Sequence, residues 1–194
     1  MMQYSQQPLE PVDTDTSGAQ IEFLAVGDAR TRDAARCLLT EYLEWIGHAA
    51  SSNYGLDFEI GAMVESDLAD PDKFFPPLGR FYVVRHGGEF IGVGCLKQLT
   101  PTIGEVQRMY VQPRARGLGV GRLLVERLLA DARAIGYTAV RLESLKVLEA
   151  AHALYRSVGF KEIAPYAENS MKDYQSAEKL DTYRSSALFM ELRL

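Results

Sequence analysis

The stretch MYVQPRARGLGVGRLL, Met109 to Leu124, constrains this chain more than any other segment. Gly117, Gly119 and Gly121 alternate along it, with Arg114, Arg116 and Arg122 around them. Before it, EVQRMYV reads as a strand, stopped by Pro113. After it, Val120, Leu123, Leu124, Leu128 and Ile135 recur at helical spacing, and Gly136 is placed to cap that helix. The first amides of a helix have no internal partners and its dipole makes that end positive, so an anion is favoured there. The segment therefore predicts an α/β fold with one local anion site. A glycine-rich tight turn with no ligand is the competing reading.

Two phosphate-loop patterns do not fit. GxxxxGK[ST] needs a lysine after its last glycine, and Arg122 stands there. GxGxxG needs a third glycine, but counting from Gly117 gives Arg122 and from Gly119 gives Leu124, and an N-terminal βαβ unit is missing. A third pattern, [QR]xxGx[GA], does fit: Arg114-Ala115-Arg116-Gly117-Leu118-Gly119. It suits a pyrophosphate, with Arg116 and Arg122 adding charge-assisted contacts.

The rest of the chain alternates helix and strand signals. IEFLAV (21–26) reads as a strand, and Ala35, Leu38, Leu39, Tyr42 and Ile46 mark a helix over 31–50. Residues 51–57 read as a loop, and FEIGAMVESDLADP as a second helix stopped by Pro71. FFPPLGR is predicted extended, because its prolines exclude helix. Gly87-Gly88 between two β-rich runs signals a hairpin. TAVRLESL, FKEIAPY and ALFMELRL read as strands, and LEAAHALYRSV as a helix capped by Gly159. The order β-α-α-β-β-β-α-β-α-β-β predicts an α/β (α+β) chain with a mixed sheet. Residues 1–19, polar and rich in Gln, Pro, Ser and Thr, read as a flexible tail.

Composition limits what such a chain binds. Its 194 residues suffice for one domain with a sizeable core, and its net charge is −5. Nucleic-acid affinity rests on phosphate neutralisation, so no nucleic-acid partner is expected. The two cysteines, Cys37 and Cys95, form no CxxC, and the histidines are scattered, so no metal site or disulfide framework is expected. No apolar run is long enough to span a bilayer, and the first residues lack the pattern of a secretory signal. The expected setting is cytoplasmic, without a membrane.

Over GEVQRMYVQPRARGLGVGRLLVERLLADARAIGYTAVRLESL and the following AAHALYRSVGFKEIAPY, the chain resembles the GNAT superfamily of N-acetyltransferases. The resemblance is strong over 104–166, fair over 80–103 and weak before that. It implies a three-layer fold over 20–194, with about seven strands flanked by four helices, and acetyl-CoA as co-substrate. It places the backbone of Met109, Tyr110 and Val111 along the pantetheine arm as strand-like partners. It gives the pyrophosphate to the loop of Arg116, Gly117, Leu118, Gly119, Val120 and Gly121, with Arg122. Many relatives carry Asn seven residues before the helix tyrosine, where this chain has Leu148.

Acetyl transfer to an amine needs one proton removed from the amine and one supplied to the departing thiolate. The resemblance puts Tyr155 near the cofactor sulfur, where a phenol serves as general acid. The competing reading is a core tyrosine of an amphipathic helix. The resemblance also puts an acidic residue at Glu105, as a base acting directly or through water, against an exposed carboxylate at a strand edge. His152 shares a helix face with Tyr155 and is expected on the solvent side. Cys95 is expected to pack as a small hydrophobe.

Family geometry brings the first helix over the acceptor cleft, making Tyr42, Trp45 and Tyr54 candidate contacts with Tyr183 from a flap over 167–186 that also carries Tyr174 and Arg184. Acidic residues interleaved with aromatics there, Glu41, Glu44, Asp57 and Glu59, favour a cationic acceptor. The expectation is a small primary amine or amino-acid-like acceptor acetylated by direct transfer. An acyl-CoA sensor without turnover, a protein lysine or N-terminal acetyltransferase and a homodimer stay open.

Overall fold

The computed structural model describes residues 21–166 and 177–194. The tail over 1–19, Tyr174 and the first half of the expected flap lie outside them. Seven strands form one sheet: β1 (Ile21–Ala25), β2 (Arg80–His86), β3 (Glu89–Thr100), β4 (Ile103–Val111), β5 (Ala139–Leu145), β6 (Lys161–Ile163) and β7 (Ala187–Arg193). Their order is β1-β2-β3-β4-β5-β7-β6, antiparallel everywhere except between β4 and β5. Side-chain alternation gives the sheet two apolar faces. Phe81, Val83, Tyr110 and Phe189 point to one, and Tyr82, Val84, Leu142 and Met190 to the other.

The first face is covered by α1 (Ala29–Tyr54) and α2 (Ile60–Ala69), with Tyr183 of α5 (Ala177–Ser186) buried in the same cluster. The second carries α3 (Val120–Ile135) and, through Tyr155, α4 (Glu149–Ser157). This is the expected three-layer α/β fold, with five α-helices among the described residues where four were expected. The first helix runs four residues further than the spacing predicts, to Gly55 in a left-handed cap whose amide bonds back to Ala50 and Ser51. The proline segment before β2 forms turns, with a cis Pro76-Pro77 peptide, in place of the extended run. A one-turn 3-10 helix, Pro113–Ala115, leads into the glycine loop.

The seam between β4 and β5 positions the site. Parallel pairing covers three positions, Ile103 with Ala139, Gly104 with Val140 and Glu105 with Arg141. Both strands continue beyond it without pairing each other. Arg108 marks the split, with φ +55 in mid-strand. Such backbone is costly for a residue with a Cβ and needs outside support. Arg108 Nε donates to Asp67 Oδ2 of α2 at 2.5 Å, and Lys73 Nζ lies 2.6 Å from Asp67 Oδ1. Asp67 is fully buried, so the helix layer ties the bulge down with a desolvated ion pair.

Candidate active site

A cavity of about 770 Å³ opens at the split, within the size range of small-molecule sites. One wall is β4 from Val106 to Val111, and the opposite wall is β5 from Leu142 to Ser144 with the start of α4. The glycine loop and the first turn of α3 close one end. β4 thus exposes backbone donors and acceptors to the cavity where a strand partner is missing.

Each glycine of the loop has a separate reason. Gly117 and Gly119 sit at φ +84 and +78, the left-handed region where other residues are strained. Space around both is open, so the backbone conformation, not crowding, requires glycine there. Gly121 differs, because a Cβ there would lie 3.2 Å from Leu154 of α4, so it allows the two helices to approach. Gly119 is the N-cap of α3 and supplies no side-chain bond, leaving the first amides of the helix available. Arg116 stacks over Trp45 at 5.2 Å and bonds the Val111 carbonyl. Arg122 bonds Ser157 Oγ at 2.7 Å and reaches Glu126. Arg114 turns away to Glu89 and Gln112, and Leu118 is exposed and outside the cavity lining. The loop as folded fits a diphosphate: uncapped amides, two nearby guanidinium groups and room for the anion.

Tyr155 lines the cavity while 6% exposed. Its hydroxyl has no hydrogen-bond partner among the described residues. Burial holds the phenol well above its ordinary value, so it stays protonated at neutral pH. Glu105 is fully buried and is not part of the cavity lining. Its carboxylate accepts from Gln107 Nε2 at 2.6 Å and from the Tyr166 hydroxyl at 2.8 Å, with Lys97 at 3.8 Å. Gln107 does reach the cavity.

A second, smaller space of about 70 Å³ lies under α1, next to the first. Tyr42, Gln107, Arg108, Glu143, Ser144 and Leu148 line both. Of the acceptor candidates, Tyr42 and Trp45 line the large cavity and Tyr183 the small one, while Tyr54 lines neither. Tyr183 is 3% exposed and hydrogen-bonds Glu143, and burial raises its phenol. Tyr42, Trp45 and Tyr110 pack together with centroids 5.6 to 6.5 Å apart. Tyr110 donates to Glu41 at 2.7 Å, and burial and that carboxylate raise its phenol to about 12. Cys95 is buried, packed as a small apolar side chain, as expected.

Two features escape the sequence reading. His152 is not on the solvent side: it is 4% exposed, because the face it shares with Tyr155 is the one α4 buries. Its Nε2 lies 3.2 Å from Ser144 Oγ. Glu143 is the other, although a carboxylate inside the apolar run of TAVRLESL is a visible signal. Among the described residues no three or more His, Cys, Asp and Glu side chains gather as a metal site, and no helix is long and apolar enough to cross a membrane.

Comparison with known proteins identifies the family and the fold. The model of the GNAT acetyltransferase family matches residues 48–160. An IAA acetyltransferase of Azospirillum brasilense is 38% identical over 138 residues, covering 70% of this chain and 82% of that one. An uncharacterized N-acetyltransferase of Schizosaccharomyces pombe is 33% identical, covering 78% and 89%. A GNAT family acetyltransferase from Elizabethkingia anophelis, solved with acetyl-CoA bound, shares the fold with a TM-score of 0.59 at 15% identity, over 92% of this chain and all of that one. The chain belongs to the GNAT acetyltransferase family and is an acyltransferase.

Proposed function

We propose that this protein moves an acetyl group from acetyl-CoA directly to the primary amine of a small, amino-acid-like acceptor. The observation that carries the acceptor half is the junction of the two cavities, where Glu143 faces the shared space opposite the β4 bulge. A half-buried carboxylate beside aromatic rings favours an ammonium through charge and cation–π attraction. The small space beyond the junction suits the side chain of a compact acceptor better than a folded protein surface.

Acetyl-CoA supplies the activated acyl group. In this reading the amides that open α3, with Arg116 and Arg122, hold its diphosphate, and the free edge of β4 over Met109, Tyr110 and Val111 pairs with its amide arm. Tyr155 points its hydroxyl at the leaving sulfur. Burial raises the phenol, but a thiolate leaving in the same dry cleft is raised too, so the proton can pass between them. In this reading Glu105, outside the cavity lining, acts as a positioning residue through Gln107, whose amide it accepts from and which does line the cavity. The cytoplasmic setting and the single domain over 20–194 remain part of the proposal and rest on the sequence alone, and the homodimer stays open.

The test is thiol release from acetyl-CoA with a panel of polyamines, free amino acids, aminoglycosides and lysine peptides. A preference for small cationic amines is the expected result. A preference for a lysine peptide over every small amine, or for an anionic acceptor, overturns the acceptor class. Tight acetyl-CoA binding with no thiol release on any amine favours the sensor reading instead.

A further inference from the structure

The partly buried His152–Ser144 pair is a titratable arrangement at the cavity that the roles above do not use. Ser144 lines both cavities, and its hydroxyl lies 3.2 Å from His152 Nε2. Counting three residues on from the last β4–β5 pair, Glu105 with Arg141, puts Ser144 level with the Arg108 bulge. Along β5 Leu142 packs on the second face and Leu145 on the first, so the Ser144 hydroxyl is on the second face beside α4, at the wall of the large cavity and level with the split through which an acceptor amine reaches an acyl group. His152 sits behind it, shielded from solvent at 4% exposure and absent from the cavity lining.

We propose that Ser144 and His152 form a proton relay that takes the proton from the acceptor's ammonium group. This rests on the acetyl-transfer reading above. The ammonium gives one proton to Ser144 Oγ as the Ser144 hydroxyl proton passes to His152 Nε2, leaving a free amine and an imidazolium. The amine nitrogen bonds the acyl carbon and the carbon–sulfur bond breaks. The sulfur takes the Tyr155 proton, and Tyr155 recovers one from the new amide nitrogen. One proton remains on His152 and returns to solvent before the next turnover.

The surroundings suit an imidazole that starts neutral. Burial pushes its basicity below the ordinary histidine value. The charged groups facing it are Arg156 and Glu149 on its own helix and Glu162 on β6, while β5 presents the Ser144 hydroxyl. Arg156 and Glu162 pair with each other at 2.6 Å, which leaves burial as the leading influence. Neutral His152 with its proton on Nδ1 accepts from Ser144 and holds that hydroxyl as an acceptor towards the cavity.

The experiment measures kcat against pH for wild type, His152→Gln, Ser144→Ala and the double variant, with each panel amine that wild type acetylates. The relay predicts a roughly 10- to 100-fold lower kcat at neutral pH in either single variant, and little further loss in the double, because the pair acts as a unit. The acidic limb of wild type should vanish from both variants and be replaced by one at higher pH that follows the amine's own ionisation. A second readout needs no turnover. The His152 ring signal in NMR, told from His48 and His86 by the His152→Gln spectrum, should titrate below 6.5 in the CoA-bound protein, at the midpoint of the acidic limb. An unchanged acidic limb in His152→Gln, its loss in Glu143→Gln instead, or an NMR midpoint that differs from the kinetic one overturns the relay and leaves acetyl transfer standing. Absence of wild-type turnover on the whole panel overturns the acetyl-transfer reading itself.

Discussion

Burial moves Tyr155 and His152 in opposite directions, and both end neutral near pH 7. A phenol raised by burial keeps its proton to give, and an imidazole lowered by burial keeps its site to receive. Sequence spacing was enough to place both on one face of α4, since three residues separate them. It could not say whether that face met solvent, because HALYRSV carries polar and apolar side chains on each side. Tyr155→Phe separates proton donation from packing, since the ring remains against Phe160. We expect acetyl-CoA affinity near wild type and kcat lower by about 10- to 1000-fold, overlapping the range for general acid–base groups. Because the phenol is raised, wild-type kcat should also show no fall from Tyr155 ionisation until well above pH 10. Stopped-flow rates across pH 6 to roughly 10 check both. A wild-type rate in Tyr155→Phe would return this residue to the core.

At the scale of elements, strands and amphipathic helices were legible because their periodicity is local. Elements set by distant partners were not. AEKLDTYRSS shows almost no apolar stripe, yet it forms α5 and buries Tyr183 against the first face. Nothing in EVQRMYV marks a left-handed residue at Arg108, since arginine has no preference for that backbone and its support comes from Asp67, 41 positions away. That bulge separates β4 from β5, so α2 helps shape a large cavity that none of its own residues lines. Asp67→Asn leaves the buried Arg108 and the half-buried Lys73 facing a neutral amide. Breaking a buried pair this way costs about 3–5 kcal/mol. The expected outcome is a loss of that order in urea unfolding, together with weaker acetyl-CoA binding by calorimetry as the bulge relaxes. Loss of stability with unchanged affinity would mean that the ion pair supports the core but not the split.

Across the whole molecule, the sheet is two antiparallel sets, β1 to β4 and β5-β7-β6, joined by three residue pairs at one end of a seam. The rest of the seam is cavity, with backbone groups on β4 that have no strand opposite them. A ligand lying there supplies the missing partner and links both sets through the α3 amides at its far end. Binding should therefore do more than raise stability by mass action, which at 100 times Kd amounts to about 2.7 kcal/mol. It should slow amide exchange along Met109–Val111 on β4 and at Val120–Arg122 of α3, leaving β1 and β6 at the outer edges nearly unchanged. Coenzyme A itself is the probe, since no acyl group is needed for this effect. Gly119→Asp puts both left-handed strain and a carboxylate in the loop, and it should abolish the protection. Gly119→Asn carries no charge and is a residue type that tolerates this backbone, so it should keep part of the protection. Hydrogen exchange with both variants separates the two causes. Equal loss in both would make backbone conformation alone the requirement at Gly119, and protection that spares β4 and α3 would place the cofactor elsewhere than the seam.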